Sequence, residues 1–249
     1  MRAKRSKWLQ LVALTAAAIP VSAFAYDFIP TESEWVAWPY YCQARYVTLP
    51  IGDNTPWAQQ IPRAQIERAR QELGDAVFGG IQHYCAGTVW LRRAKVQPDK
   101  ELRAFYLRTA TSETTFTLTR LPPDTPMIVP VTTNLALIKY AEGKFDEAIE
   151  LLERVAAQKP EEPMTYSALA TLYRERKRLD LARDVLLRGD KMVEGRSAEI
   201  QYNLGLVLLE LGDIEEAQIA ARKAYELGYP LPGLRNKLKR MGHSIDSPG

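Results

Sequence analysis

Cysteine and histidine are scarce in this chain of 249 residues, which holds two of each: Cys42, Cys85, His83 and His243. No CxxC, CxxCH or HExxH pattern is present, so zinc, covalent haem and metalloprotease chemistry lack their usual ligands. His83 and Cys85 stand two positions apart, which on a helix turns their side chains roughly 200° from one another and prevents them from sharing an ion. A GxSxG elbow and a Gly-rich phosphate loop are also missing. These absences leave no candidate catalytic residue, no metal site and no cofactor, and the chain reads as non-enzymatic.

Long apolar runs are confined to one place. Arg2, Lys4, Arg5 and Lys7 precede an apolar stretch over 8–19, Pro20 breaks it, and Ala23-Phe24-Ala25 supplies an A-x-A cleavage site. The pattern is that of a secretory signal peptide over 1–25, because the run is shorter than the roughly 20 residues a spanning helix needs. No cysteine follows closely enough for a lipoprotein. The expected product starts at Tyr26 and is periplasmic. Removing the four basic residues of the leader lowers the formal charge from +3 to −1. That balance argues against a nucleic-acid partner and leaves peripheral association with the envelope open.

What the mature chain does have, first, is aromatics and prolines. Trp35, Trp38, Tyr40, Tyr41, Tyr46 and Trp57 lie among Pro30, Pro39, Pro50, Pro56 and Pro62. Thr31 and Glu34 have capping-box spacing, and Pro39 is placed to open a helix reaching Tyr46. Such ring density is core material, with a platform for a glycan or lipid headgroup as the alternative. The pattern then predicts helices over 63–73, 75–94 and 99–120, with extended chain as the alternative for the threonine-rich 111–119. Residues 75–120 read as a first, degenerate hairpin. Export places Cys42 and Cys85 in an oxidising compartment, where an even pair forms a disulfide that ties the aromatic segment to this hairpin.

Second, the chain has a repeat. Ala136, Ala170 and Gly205 each follow a leucine, and twelve residues after each comes Ala148, Ala182 or Ala217, giving spacings of 34 and 35. The clearest copy carries Leu204, Gly205, Gly212, Ile214 and Ala217. The first has Leu135, Ala136, Gly143, Phe145, Ala148 and Pro160, and the middle one Tyr166, Leu169, Ala170, Tyr173, Leu179 and Ala182. Over 129–230 this resembles the tetratricopeptide repeat, a helix-turn-helix unit of about 34 residues. Two departures stand out: Tyr140 sits one place past the usual aromatic position, and Lys177 replaces the turn glycine.

The resemblance implies an all-α solenoid of right-handed helical hairpins over 127–242, after a disulfide-linked helical module over 26–121. Residues 233–241, with Leu234, Leu238 and Met241 on one side and basic residues on the other, read as a capping helix, and 243–249 as a disordered tail. It further implies a groove for a protein partner, whose lining by register is Thr133, Leu137 and Tyr140, then Ser167, Thr171 and Arg174, then Tyr202, Leu206 and Leu209. Family members that clamp a C-terminal carboxylate use Lys and Asn at such positions. Only Arg174 is of that kind here, so the resemblance points to a partner helix or strand. The expected role is an exported scaffold that assembles a cell-envelope or secretion complex.

Overall fold

A computed structural model describes residues 28–52 and 55–245; the leader assigned to 1–25 lies outside them. Thirteen α-helices and no strand occur among the described residues. Four short helices come first: α1 (Glu32–Val36), α2 (Tyr40–Tyr46), α3 (Arg63–Leu73) and α4 (Asp75–Phe78). Helix α1 starts at the Thr31 capping box, in which the Thr31 hydroxyl accepts from the Glu34 amide and the Glu34 carboxylate accepts from the Thr31 amide. Cys42 of α2 is bonded to Cys85 of α5 (Ile81–Val96), with Cα atoms 5.7 Å apart. Trp35, Trp38 and Tyr46 pack around this link with ring centroids 5.6–5.8 Å apart, and Trp38 Nε1 donates to the Cys85 carbonyl. Beside them Arg93 of α5 grips both oxygens of Glu34 at 2.7 Å. Burial would raise the Glu34 carboxyl, but bonds from Arg93 and Thr31 and the guanidinium charge hold it below the usual carboxylate range.

The helix expected over 75–94 is broken at Gly79-Gly80 into α4 and α5, where two glycines remove most of the local helix preference. The threonine-rich run is helical throughout, as part of α6 (Lys100–Leu118). Here packing overrides β-propensity. Thr117 and Thr119 turn their hydroxyls back to the carbonyls of Glu113 and Thr115, while buried Thr114 accepts from Asn134 Nδ2. Helices α5 and α6 are packed as one hairpin, which joins the repeats at their N-terminal end.

Three further hairpins follow: α7 (Ile128–Ala141) with α8 (Phe145–Gln158), α9 (Pro163–Glu175) with α10 (Leu179–Met192), and α11 (Ala198–Leu211) with α12 (Ile214–Glu226). The small residues of the repeat lie at the helix crossings, and Ala136, Ala148, Ala170, Ala182 and Ala217 are all buried. A Cβ on Gly205 would stand 2.6 Å from Leu234 Cδ2, so a larger residue there would force the Leu234 side chain to shift. Phe145 packs edge-on against both Tyr140 and Tyr173, which is how the displaced aromatic at 140 is accommodated. The 35-residue spacing arises between α10 and α11, whose five-residue link (193–197) exceeds the four residues of 159–162 between α8 and α9. Helix α13 (Gly233–Arg240) closes the array by burying Leu234 and Leu238 on α11 and α12. Beyond it Ser244 accepts from Gln218 Nε2 and Ile245 packs on the apolar core, so the chain stays against the array to 245.

Two stability changes follow from these turns and links. At the helix-to-helix turn Gly143 and Gly212 have φ of 84° and 92°, and Lys177 is held in the same left-handed region at 59°. Replacing Lys177 with Gly relieves the side-chain clash at a smaller entropic cost, and should stabilise the fold by about 0.5–1 kcal/mol in urea denaturation; an unchanged or lower midpoint would contradict this. The Cys42–Cys85 bond spans 43 positions. On chain-entropy grounds the Cys42→Ala, Cys85→Ala double variant should lose roughly 3–4 kcal/mol, read as a lower denaturation midpoint.

Candidate groove on the concave face

The first helices of successive hairpins, α5, α7, α9 and α11, lie side by side, with α5 meeting α7, α7 meeting α9 and α9 meeting α11. Small residues on the opposite face let the second helices pack closely, so the first helices form a concave wall. A groove of about 680 Å³ runs along it. Leu137, Tyr140, Met164, Ala168 and Leu172 give it an apolar floor, and Thr133, Asn134, Ser167 and Thr171 also line it. Lys95 and Arg103 line it from α5 and α6, Glu175 and Glu199 from α9 and α11.

Five residues placed in the groove by register, Thr133, Leu137, Tyr140, Ser167 and Thr171, line this single cavity. The other four do not. Arg174 donates to Glu210 of α11 at 3.0 Å, and Lys237 of α13 lies 3.9 Å from the same carboxylate. Tyr202 stacks on Tyr229 at 4.0 Å, and burial raises both phenols. Leu206 and Leu209 belong to the apolar core that α13 covers. In the last hairpin this face of α11 seats α13 and the link that precedes it.

The register also passes over three lining positions. Counting from Ala136, Ala170 and Gly205, residues six places earlier (Pro130, Met164, Glu199) and two places earlier (Asn134, Ala168, Asn203) face the groove in all three copies. Ala141 and Glu175, five places later, do so in two. These positions follow the i, i+4 spacing of one helical face, so helix periodicity alone was the available signal.

Two hydroxyls in the groove are unusual. Thr133 and Ser167, 6% and 4% exposed, have no hydrogen-bond partner for Oγ1 and Oγ within the protein. Thr171, by contrast, donates to the Ser167 carbonyl at 2.8 Å. Burial raises the Tyr140 phenol, and the Glu175 carboxylate beside it raises it further against a smaller effect of Arg176.

Of the three tryptophans of the aromatic segment, Trp57 is half-buried, whereas the other two are enclosed. Trp35 and Trp38 are 5% and 4% exposed, enclosed with Phe28 and Tyr46, so neither offers a face to a glycan or headgroup. Cys85 is consumed by the disulfide, and His83 is bonded to Glu113 at 2.6 Å and packed on Phe116, so the two share no site.

Comparison with known proteins bears on the repeat segment. Residues 139–196 match a family model described as Tetratricopeptide repeat, and 198–227 match a second model of that description. The segment 139–227 therefore carries tetratricopeptide repeats and is a protein-interaction scaffold, whereas the N-terminal region has no family match. No curated protein matches the chain. Among solved structures, MamA MSR-1 C2 is 21% identical over 65% of this chain and 88% of that one, at a TM-score of 0.39. MamA AMB-1 C2221 is 18% identical over 79% and 99%, also at 0.39.

The Tyr140–Glu175 contact is open to direct test. Glu175→Gln removes the charge that disfavours the phenolate, so Tyr140 should ionise at lower pH than in wild type when followed by NMR or ultraviolet titration. An unmoved titration would show that the two side chains do not meet in solution.

Proposed function

We propose that this chain, whose residues 139–227 carry tetratricopeptide repeats, is a non-catalytic scaffold that holds a protein partner in its concave groove. The observation that carries the reading is the groove itself: residues of two successive repeats at one register, Thr133, Leu137, Ser167 and Thr171, line one continuous apolar-floored cavity. Burial of a few partner side chains over Leu137, Met164 and Leu172 supplies affinity, while the near-neutral charge of the mature chain leaves little to long-range attraction. The leader pattern over 1–25 supports export to the periplasm, and the buried disulfide suits an oxidising compartment. Assembly of an envelope or secretion complex is the role that fits an exported scaffold of this kind.

A photo-crosslinking amino acid at Met164, which is 43% exposed in the groove, should capture one protein partner in cells, whereas the same group at Leu187 on α10 should not. Met164→Glu should abolish co-purification of that partner without lowering the thermal midpoint. Equal capture from both positions, or none from Met164, would overturn the groove reading. Mass spectrometry of the exported chain should find Tyr26 at its N-terminus; an uncut leader would remove the periplasmic assignment.

A further inference from the structure

We infer that the outward face of α6 docks the protein on the surface of a bilayer of anionic lipid. The groove plays no part in this contact. No helix among the described residues is long and apolar enough to cross a membrane, so the protein rests on the bilayer.

Helix α6 buries Leu107, Ala110, Thr114 and Thr117 on one side. A helix that meets only water carries polar residues on the other side. Here Leu102, Phe105, Thr109, Ser112 and Phe116 recur at intervals of three and four, making one stripe about 21 Å long on the helical rise. Phe105 and Phe116 are 48% and 37% exposed, and no other aromatic among the described residues is as open. Both rings are held in place, Phe105 edge-on to Trp90 and Phe116 with its centroid 4.1 Å from that of the His83 ring. Fixed apolar rings that keep so much surface in water are placed for a contact the isolated chain does not make.

Charge identifies the other side of that contact. Residues 92–120 hold seven basic and three acidic side chains, a formal +4, although the mature chain as a whole stands at −1. Asp99 is engaged as the cap of α6 and Glu113 with His83, which leaves Glu101 as the remaining acidic group. Lys100 and Arg108 form no ion pair among the described residues. Arg120 lies 3.6 Å over the Phe116 ring, and Arg93, paired with Glu34, lies 4.7 Å over Trp90. Cations thus stand at the start, middle and end of the stripe.

A bilayer interface takes both features at once. Rings settle at the depth of the headgroups, while long basic side chains reach the phosphate oxygens. Anionic lipid adds attraction for each Lys or Arg near the surface. A second copy docked on the same face would set +4 against +4, and the exported location proposed above separates the chain from nucleic acid.

Flotation of the exported, leader-free protein with vesicles tests this. It should float with vesicles of phosphatidylcholine mixed with phosphatidylglycerol, not with phosphatidylcholine alone, and high salt should weaken the binding. Lys100→Gln and Arg108→Gln should each lower partitioning about fivefold and Phe105→Ser about tenfold, whereas Met164→Glu in the groove should change nothing. Phe105→Trp keeps a large ring and reads depth: on anionic vesicles it should add a blue-shifted emission that acyl-brominated lipid quenches, and Leu187→Trp on α10 should not. Equal binding to neutral vesicles, unchanged binding by Arg108→Gln, or no quenching at position 105 would overturn the inference. A dimer broken by Phe105→Ser, or tighter binding to single-stranded DNA than to vesicles, would also overturn it and reassign the face.

Discussion

Everything on the concave face depends on close helix crossings at small residues. At Ala136, Ala170 and Gly205 the first helix of each hairpin meets its second helix near Ala148, Ala182 and Ala217, and the space left at Gly205 is taken by Leu234 of α13. A larger side chain at these crossings would push the two layers apart. The first helices would then lose the parallel spacing that aligns Thr133 with Ser167 and Leu137 with Thr171 across neighbouring repeats. The groove is thus a consequence of packing on its far side, and small residues that never touch a partner set its geometry.

The N-terminal module is built by a different device. It is tied together chiefly by a covalent link and by ion pairs and hydrogen bonds between its short helices. The Cys42–Cys85 bond holds α2 on α5, and Arg93 holds α1 on α5 through Glu34. The aromatic rings fill the volume these two ties enclose. The effect is to fix α5 as a rigid first wall of the groove, which is why Tyr84, Lys95 and Arg103 reach a cavity otherwise lined by repeats.

Local signals in the sequence were strong where chain geometry acts within a few residues. The Thr31 capping box, the Pro39-initiated α2, the stop of α3 at Gly74 and the 34-residue period are all decided by neighbours at short range. Long-range packing decided the cases that were not legible. The threonines of 111–119 became helical because Thr114 meets Gly87 and Asn134, and Thr111 meets Glu142, contacts that no local preference encodes. The same holds for the groove. Thr133 and Ser167 could be placed by register, whereas Arg174 and Tyr202 could not, since their neighbours Glu210 and Tyr229 are met only after the chain has folded back.

Position along the array now has a meaning that the repeat period hides. At its C-terminal end the first helix of the last hairpin gives Tyr202, Leu206 and Leu209 to stacking and core packing. At its N-terminal end α7 packs on the hairpin of α5 and α6, which supplies a charged wall in place of another repeat. Three copies of one motif thus contribute unequally to one groove, and part of its wall, Lys95 and Arg103 included, comes from residues that belong to no repeat.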